Sequence, residues 1–361
     1  MQSGFRKQRG TGDYIVRLQD CVHKALHTGE HTLAVFLDLS KAFDMVWSAG
    51  LLYKLRQLGV GGRIHAWIAD FLTGRKIRVR VGAAISNSHD LVNGTPQGSI
   101  ISPLLFNVMI NDLPTPTCAN MHDSIIADES AAWKAGKNIA LLCSDMQQHL
   151  DKVVEWSSTW GFTLSKTKST AVLFTHDTRL EAGVELTIHG AAVPVSKQAK
   201  FLGVTYDQRL SWKPHISGVV DRTKSAYNLM RCVSGQSWGA SNKALLAIYR
   251  ALMRSRLDYG SQAFYTASKT QLQRLDQIQS KCLRLSCGAF CSTAVNALQQ
   301  DCGEMPLHLK RRQLTLRLAS KVAVNPTNLA RELSSVTEDD WRMHLGKYER
   351  GKEPIYTLLE D

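Results

Sequence analysis

A chain of 361 residues, 44% hydrophobic and 21% charged, has the composition of an ordinary globular protein with apolar material for two or three cores, which excludes wholesale disorder. Lys and Arg outnumber Asp and Glu by 44 to 31, and a formal charge of +13 concentrates polyanions around a folded protein. Nucleic acid is therefore favoured as partner over mere basic solubility, and the best apolar run, SIISPLLFNVMI, is broken by Ser102, Pro103 and Asn107, so no membrane span is expected.

The opening stretch MQSGFRKQRGTGDY lacks the apolar segment of a secretory signal and reads as a chain that begins in mid-domain. From Asp13 to His27, apolar residues at Ile15, Leu18, Val22 and Ala25 mark one face of a helix. TLAVFLDL is a short continuous apolar run, the pattern of a buried strand that delivers Asp38 at its carboxyl end. Leu51, Leu52, Leu55 and Leu58 stripe a helix stopped by Gly59, and Ile64, Trp67, Ile68 and Phe71 stripe another stopped by Gly74. KIRVRV alternates strictly, which predicts one half-exposed strand with Arg78 and Arg80 on its outer face.

In NGTPQGSIISPLLFNVMINDLP, Gly94, Pro96 and Gly98 define a loop, and Ser102 with Pro103 start a helix in N-cap and N1 order. SIIADESAAW reads as a strand turning back on itself, with Asp128 and Glu129 at the turn. A long amphipathic helix follows, carrying Ile139, Leu142, Met146, Leu150 and Val153 and ending near Trp160 and Gly161. STAVLFTH and AKFLGVTYD predict two more strands, and the pattern is helical from Trp212 onward. The organisation is mixed α/β to about residue 210 and helical after it. Eight cysteines, at positions 21, 118, 143, 232, 282, 287, 291 and 302, include no C-x-x-C pair and read as reduced thiols of an intracellular protein. The alternative is a metal group of Cys282, Cys287, Cys291 and Cys302 with His308, whose spacings fit no standard pattern.

If the strand ending at Asp38 neighbours the hairpin at Asp128, their carboxylates converge. Convergent hard oxygen ligands select Mg²⁺ or Mn²⁺, and a pair of such ions serves in-line displacement at phosphorus. The competing reading is a solvated β-turn, where Asp and Glu are common.

The order of blocks along the chain resembles the reverse transcriptases of non-LTR retrotransposons, particularly the jockey-like kind. FLDLSKAFDMVW is similar to the family's first catalytic block, GTPQGSIISPLLFNVMINDLP to its second, IADES to its third, WGFTLSKTKSTAVLF to its fourth and AKFLGVTYD to its primer-grip block. SGFRKQRGTGDYIVRL resembles the end of the family's fingers, and IYRALMRSRLDYGSQAFYTAS with LDQIQSKCLRLSCGAF the helical region after the palm.

The resemblance implies an α+β fold: a right-hand polymerase palm of ferredoxin-like βαββαβ type over residues 31–210, a remnant of fingers over 1–30, a helical thumb over 211–325 and an unassigned tail over 326–361. It implies an RNA-directed DNA polymerase, a nucleotidyltransferase acting through two Mg²⁺ ions with Mn²⁺ as a substitute. The implied partners are an RNA template, a DNA primer and deoxynucleoside triphosphates, and the implied location is nuclear. Asp38, Asp128 and Glu129 would be the catalytic carboxylates, with the Leu39 carbonyl as a further metal ligand. Phe43 would exclude a 2′-hydroxyl, the alternative being a plain core Phe. Gln97 and Gly98 would lie along the incoming nucleotide, and Arg6 would touch the triphosphate or template. Gly94, Pro96 and Gly98 also have a reading as turn formers alone. Lys168, with Lys166 as rival, would give a proton to the leaving pyrophosphate, and Phe201, Leu202 and Gly203 would hold the primer end.

The sequence departs from the family where its third block carries an aromatic residue, then Ala, then two aspartates. Here Ile126 stands for the aromatic and Glu129 for the second aspartate. The extra methylene adds roughly 1.5 Å of reach, and such misplacement can cost a catalytic site about a hundredfold. The chain also begins late in the fingers, and no endonuclease or ribonuclease H pattern is expected in it. A polymerase domain is thus weighed against an impaired remnant that only binds nucleic acid, with a metal-dependent nuclease a distant third.

Overall fold

The computed structural model describes residues 4–6, 9–165, 167–235 and 238–324; Lys166 and the tail 326–361 lie outside the described residues. The chain forms two compact units. The first takes the residues up to Thr11 with Glu30–Leu173 and Asp177–Ser196, and the second Gly12–Gly29, Phe174–His176 and the chain from Lys197 onward.

The first unit is built on a four-stranded sheet of His31–Asp38, Met121–Ile126, Glu129–Gly136 and Thr170–Phe174. Its spatial order is second, third, first, fourth. Helices Ser48–Gln57, Gly62–Leu72 and Ser102–Met109 lie in sequence between the first two strands, and Ile139–Trp160 between the last two, giving the order β-α-β-β-α-β. Because His31–Asp38 runs between two neighbours, Thr32 to Leu37 are all buried, which explains a continuous apolar run in place of alternation. Helix Ile139–Trp160 starts where the Asn138 side chain accepts a hydrogen bond from the Leu141 amide and ends at Gly161, whose φ of 74° favours glycine. Between those caps it buries Leu142, Met146, Leu150 and Val153 against the sheet's core. Each such side chain contributes on the order of 2 kcal/mol before entropy is subtracted.

A buried lysine ties the helices together. Lys54 donates to the Met109 carbonyl and to Asp112 Oδ1, each at 2.5 Å, and lies 3.6 Å from the centroid of the Trp160 ring. The Trp156 indole N–H donates to the same Asp112 oxygen at 3.0 Å. Burial lowers the Lys54 pKa, and the Asp112 carboxylate opposes that shift.

Four sequence expectations differ from the structure. KIRVRV forms two short strands, Arg75–Ile77 and Arg80–Val81, in separate two-stranded ladders, and its apolar residues are exposed, Val81 at 75%. Alternation gives the face of a strand but cannot supply a layer for that face to pack on. Helix Gly62–Leu72 buries only Ile68 and Leu72 and leaves Ile64 and Trp67 exposed. Ser102 is already inside its helix, and its hydroxyl donates to the Pro96 carbonyl at 2.7 Å, closing the loop instead of capping the helix. AKFLGVTYD is a hairpin, Gln198–Phe201 with Val204–Asp207, because Leu202 (φ 48°) and Gly203 (φ 77°) make a two-residue turn.

In the second unit, helix Thr11–Thr28 receives a hydrogen bond at the Ile15 carbonyl from the buried Tyr206 hydroxyl, 2.9 Å away. Helices Lys213–Cys232, Asn242–Ile248, Lys269–Cys287 and Val295–Asp301 pack around Met230, Tyr249, Met253, Leu283 and Leu298. Within that core Arg254 meets Asp258 at 3.0 Å and Glu304 at 3.3 Å, and donates to the Tyr249 hydroxyl and the Met305 carbonyl. Arg254 is the last residue of a π-helical stretch, Tyr249–Arg254. All eight cysteines are free thiols; Cys287 Sγ and Cys302 Sγ lie 2.9 Å apart, and burial pushes the Cys302 pKa up to about 12. Among the described residues no helix is long and apolar enough to cross a membrane.

Candidate active site

The site is assembled at one end of the central strand. In the antiparallel ladder with Glu129–Gly136, Asp38 lies directly opposite Glu129, so the two side chains share a face of the sheet. The hairpin partner strand closes with Ile126 opposite Glu129, leaving Ala127 and Asp128 as the turn. Ala127 has φ 54°, a conformation costly for a residue with a Cβ, and Asp128 is exposed beside it. One bond fixes the turn against the central strand: the Leu39 amide donates to the Asp128 carbonyl at 3.2 Å. Three acidic residues of the resemblance are therefore gathered by backbone pairing alone.

A second loop closes over the same strand end. The Ser165 amide donates to the Asp38 carbonyl at 2.9 Å, the Ser40 amide to the Thr163 carbonyl at 2.9 Å, and Ser165 Oγ accepts from the Lys168 amide at 3.3 Å. This turn brings Lys168 Nζ to 3.4 Å from Asp38 Oδ1. Lys168 is 69% exposed and Asp38 23%, so water screens the pair and it adds little stability.

Phe43 follows five residues after Asp38 in the chain. It is half-buried and stacks on Phe106 with ring centroids 4.4 Å apart and an interplanar angle of 24°, while Phe5 meets it edge-on at 6.5 Å. The loop after Asn93 is stitched to this segment, the Gly94 amide donating to the Val46 carbonyl at 2.8 Å and the Thr95 amide to the Phe43 carbonyl at 2.9 Å. Gly94 has φ 90°, and a Cβ there would fall 2.8 Å from the Asp44 carbonyl oxygen, so close backbone approach requires glycine. Gly98 also has φ 90°, but the space around it is open. The exposed Gln97 donates from Nε2 to Asp44 Oδ1 at 3.2 Å. Arg6 donates to Asn111 Oδ1 at 3.0 Å, just beyond helix Ser102–Met109.

Phe201, Leu202 and Gly203 belong to the second unit. Phe201 and Leu202 are buried, and the Leu202 carbonyl accepts a 2.7 Å hydrogen bond from the Tyr259 hydroxyl, whose ring lies 3.1 Å from where a Cβ on Gly203 would stand. Tyr259 thus braces a turn in which a leucine is held at positive φ. Sequence reasoning missed it, as it missed Asp44 and Ser165; the Tyr-Gly pair that ends a helical stretch is the one available signal, since Gly260 also has positive φ, 71°.

The donors around the strand end are carboxylate and carbonyl oxygens, the set that suits a hard cation. Among the described residues no three His, Cys, Asp or Glu side chains gather tightly enough to chelate an ion by themselves. Magnesium matches such a site, because it is held by one or two carboxylates and completes its shell with water and substrate phosphates.

The family described as reverse transcriptase (RNA-dependent DNA polymerase) matches residues 1–206. The chain is 30% identical over 348 residues to the RNA-directed DNA polymerase from mobile element jockey of Drosophila melanogaster, covering 92% of this chain and 37% of that protein. It is 30% identical over 305 residues to the probable RNA-directed DNA polymerase from transposon X-element of the same species, covering 83% of this chain and 33% of that one. The chain thus spans little more than a third of the length of these relatives. Among solved structures it is similar to apo telomerase from Candida tropicalis, with a TM-score of 0.44 and 12% identity over 99% of this chain and 57% of that one. A family match over more than half of the chain makes this chain a member of the reverse transcriptase family, in the company of the jockey-like polymerases of non-LTR retrotransposons.

Proposed function

We propose that this chain is the catalytic part of an RNA-directed DNA polymerase, with its β-α-β-β-α-β unit as the palm, the residues before 31 as the end of the fingers and the helical region from about residue 211 as the thumb. The observation that carries the reading is the register Asp38 opposite Glu129, with Asp128 in the adjoining turn and Lys168 over Asp38. Template RNA, DNA primer and deoxynucleoside triphosphates are the partners such a site serves, and copying at a chromosomal target places it in the nucleus.

Asp38, Asp128, Glu129 and the Leu39 carbonyl would hold the divalent ions, magnesium with manganese as a substitute. When bound, the pair supplies Lewis-acid stabilisation of an attacking 3′-hydroxyl and a departing pyrophosphate. Lys168, beside the same strand end, would give its proton to that pyrophosphate. Phe43, fixed by its stack on Phe106, would be the ring that excludes a 2′-hydroxyl. Gln97, tied to Asp44, offers its amide to the incoming nucleotide, and the open backbone at Gly98 lets the triphosphate approach. Arg6 is assigned to the triphosphate or template side. Phe201, Leu202 and Gly203 hold the primer end.

Extension of a labelled DNA primer on an RNA template tests this. Magnesium-dependent extension that vanishes in Asp38→Ala is the expected result. Tight primer–template binding with no extension in either metal contradicts it.

A further inference from the structure

The second unit contains a cavity of about 660 Å³ that no step of the polymerase reading uses. Its walls come from helices Lys213–Cys232, Asn242–Ile248 and Lys269–Cys287. Lys281 and Arg284, three residues apart on one helical face, both line it, with Leu245 and Leu285 as apolar neighbours and Tyr227 and Asn242 opposite on other helices. None of its lining residues is acidic. Among the described residues neither cation forms an ion pair with a carboxylate.

Arg284 is only partly satisfied. One terminal nitrogen donates to the Thr293 carbonyl at 3.2 Å, while its Nε is shut off from solvent and bonded to no protein group. A guanidinium that gives only one hydrogen bond to the protein keeps donor capacity for an anion. Two cations without a carboxylate in a concavity call for an anion, and a guanidinium beside an ammonium is a good pair for phosphate oxygens. The volume falls within the range of small-ligand sites. The half-buried Tyr227 ring gives a base a flat surface to stack on, and the Asn242 amide can both donate to and accept from a base edge.

We propose that this cavity binds one unpaired nucleotide of single-stranded RNA, its phosphate between Lys281 and Arg284 and its base against Tyr227. The choice of an RNA strand over a free nucleotide rests on the RNA-copying reading; the anion site itself does not. A site of this kind would hold one template nucleotide in an unpaired state.

The test is fluorescence-anisotropy binding of a single-stranded RNA of about twelve nucleotides and, separately, of adenosine monophosphate, across a salt series. For the double variant Lys281→Gln, Arg284→Gln the expected result is a Kd for the strand raised at least about tenfold, with the salt slope reduced by about one to two. Lys281 is exposed, so Lys281→Gln alone preserves the fold and is expected to give part of that loss. Tyr227→Leu should weaken binding with the salt slope unchanged, and Tyr227→Phe should restore it. An unchanged Kd and slope in both lysine variants overturns the site. Adenosine monophosphate binding as tightly as the strand overturns the choice of strand. Primer extension at saturating primer–template separates this proposal from the polymerase reading: extension with no salt-slope change sinks the cavity alone, and a slope change without extension sinks the polymerase alone.

Discussion

Two charged sites, one in each unit, are built in opposite ways. At the end of the central strand, Asp38, Asp128 and Lys168 stand within reach of water, held by backbone pairing and one long, exposed ion pair. In the helical unit Arg254 is buried among Asp258, Glu304, Tyr249 and the Met305 carbonyl. Charges closed on one another serve the fold, because removing one leaves the rest without compensation in a poorly polarisable interior. Charges left open cost the fold little and remain available to a cation or a phosphate.

The sharpest way to break that contrast is to exchange the expected losses. Arg254→Ala should destabilise the second unit by about 3–5 kcal/mol, visible as a lower denaturant midpoint, whereas Asp38→Ala should leave the midpoint nearly unmoved while abolishing extension. A comparable loss of stability from both substitutions contradicts the division of labour.

The next effect is pH-dependent and also belongs to the second unit. His215 is buried, its Nδ1 accepts from the Thr205 amide at 3.2 Å, and burial pushes its pKa down from 6.5 to about 4. The unfolded chain therefore takes up the proton first as pH falls. Stability should drop by about 3 kcal/mol between pH 6.5 and 4 and level off below that. Urea melts across this range check it: His215→Asn, which keeps an acceptor for the Thr205 amide, should flatten the profile, and an unchanged profile assigns the acid sensitivity elsewhere.

Glu129 belongs to the open site. It lies opposite Asp38 with one methylene more than the family's aspartate. If reach at this strand end limits turnover, Glu129→Asp should raise the extension rate, by as much as about a hundredfold, without altering primer–template affinity. The smallest effect is expected at Tyr259. Losing its 2.7 Å hydrogen bond to the Leu202 carbonyl in Tyr259→Phe should cost about 1 kcal/mol and raise the KM for primer more than it lowers kcat. Equal changes in both constants would show that the brace does not act through the primer end.

Much of the first unit was legible because its signals are local. The run Leu33 to Leu37 reads as a buried strand, and Gly161 stops a helix whose apolar stripe is the one the core uses. Asp38 and Asp128 could be chosen as partners because each ends a strand-like run; that the two strands neighbour each other is a tertiary fact, and the block order suggested it. KIRVRV misled because alternation describes a strand's two faces without saying whether anything covers them. Tyr259 and Asp44 were invisible for a related reason: each acts through a contact with a distant turn, and a lone tyrosine or aspartate in sequence carries no trace of that. The cavity at Lys281 and Arg284 was hidden likewise, since a basic helix face reads as solvated until other helices roof it.

The most direct test of the open strand end is metal-directed cleavage. Replacing Mg²⁺ with Fe²⁺ and adding ascorbate and peroxide to the chain bound to primer–template and nucleotide generates hydroxyl radicals at the bound ion. Backbone cuts next to Asp38 and in the turn at Asp128, competed away by Mg²⁺ and absent from Asp38→Ala, are expected. Cuts elsewhere, or cuts at these positions that persist in Asp38→Ala, would contradict the claim that these carboxylates hold the ions.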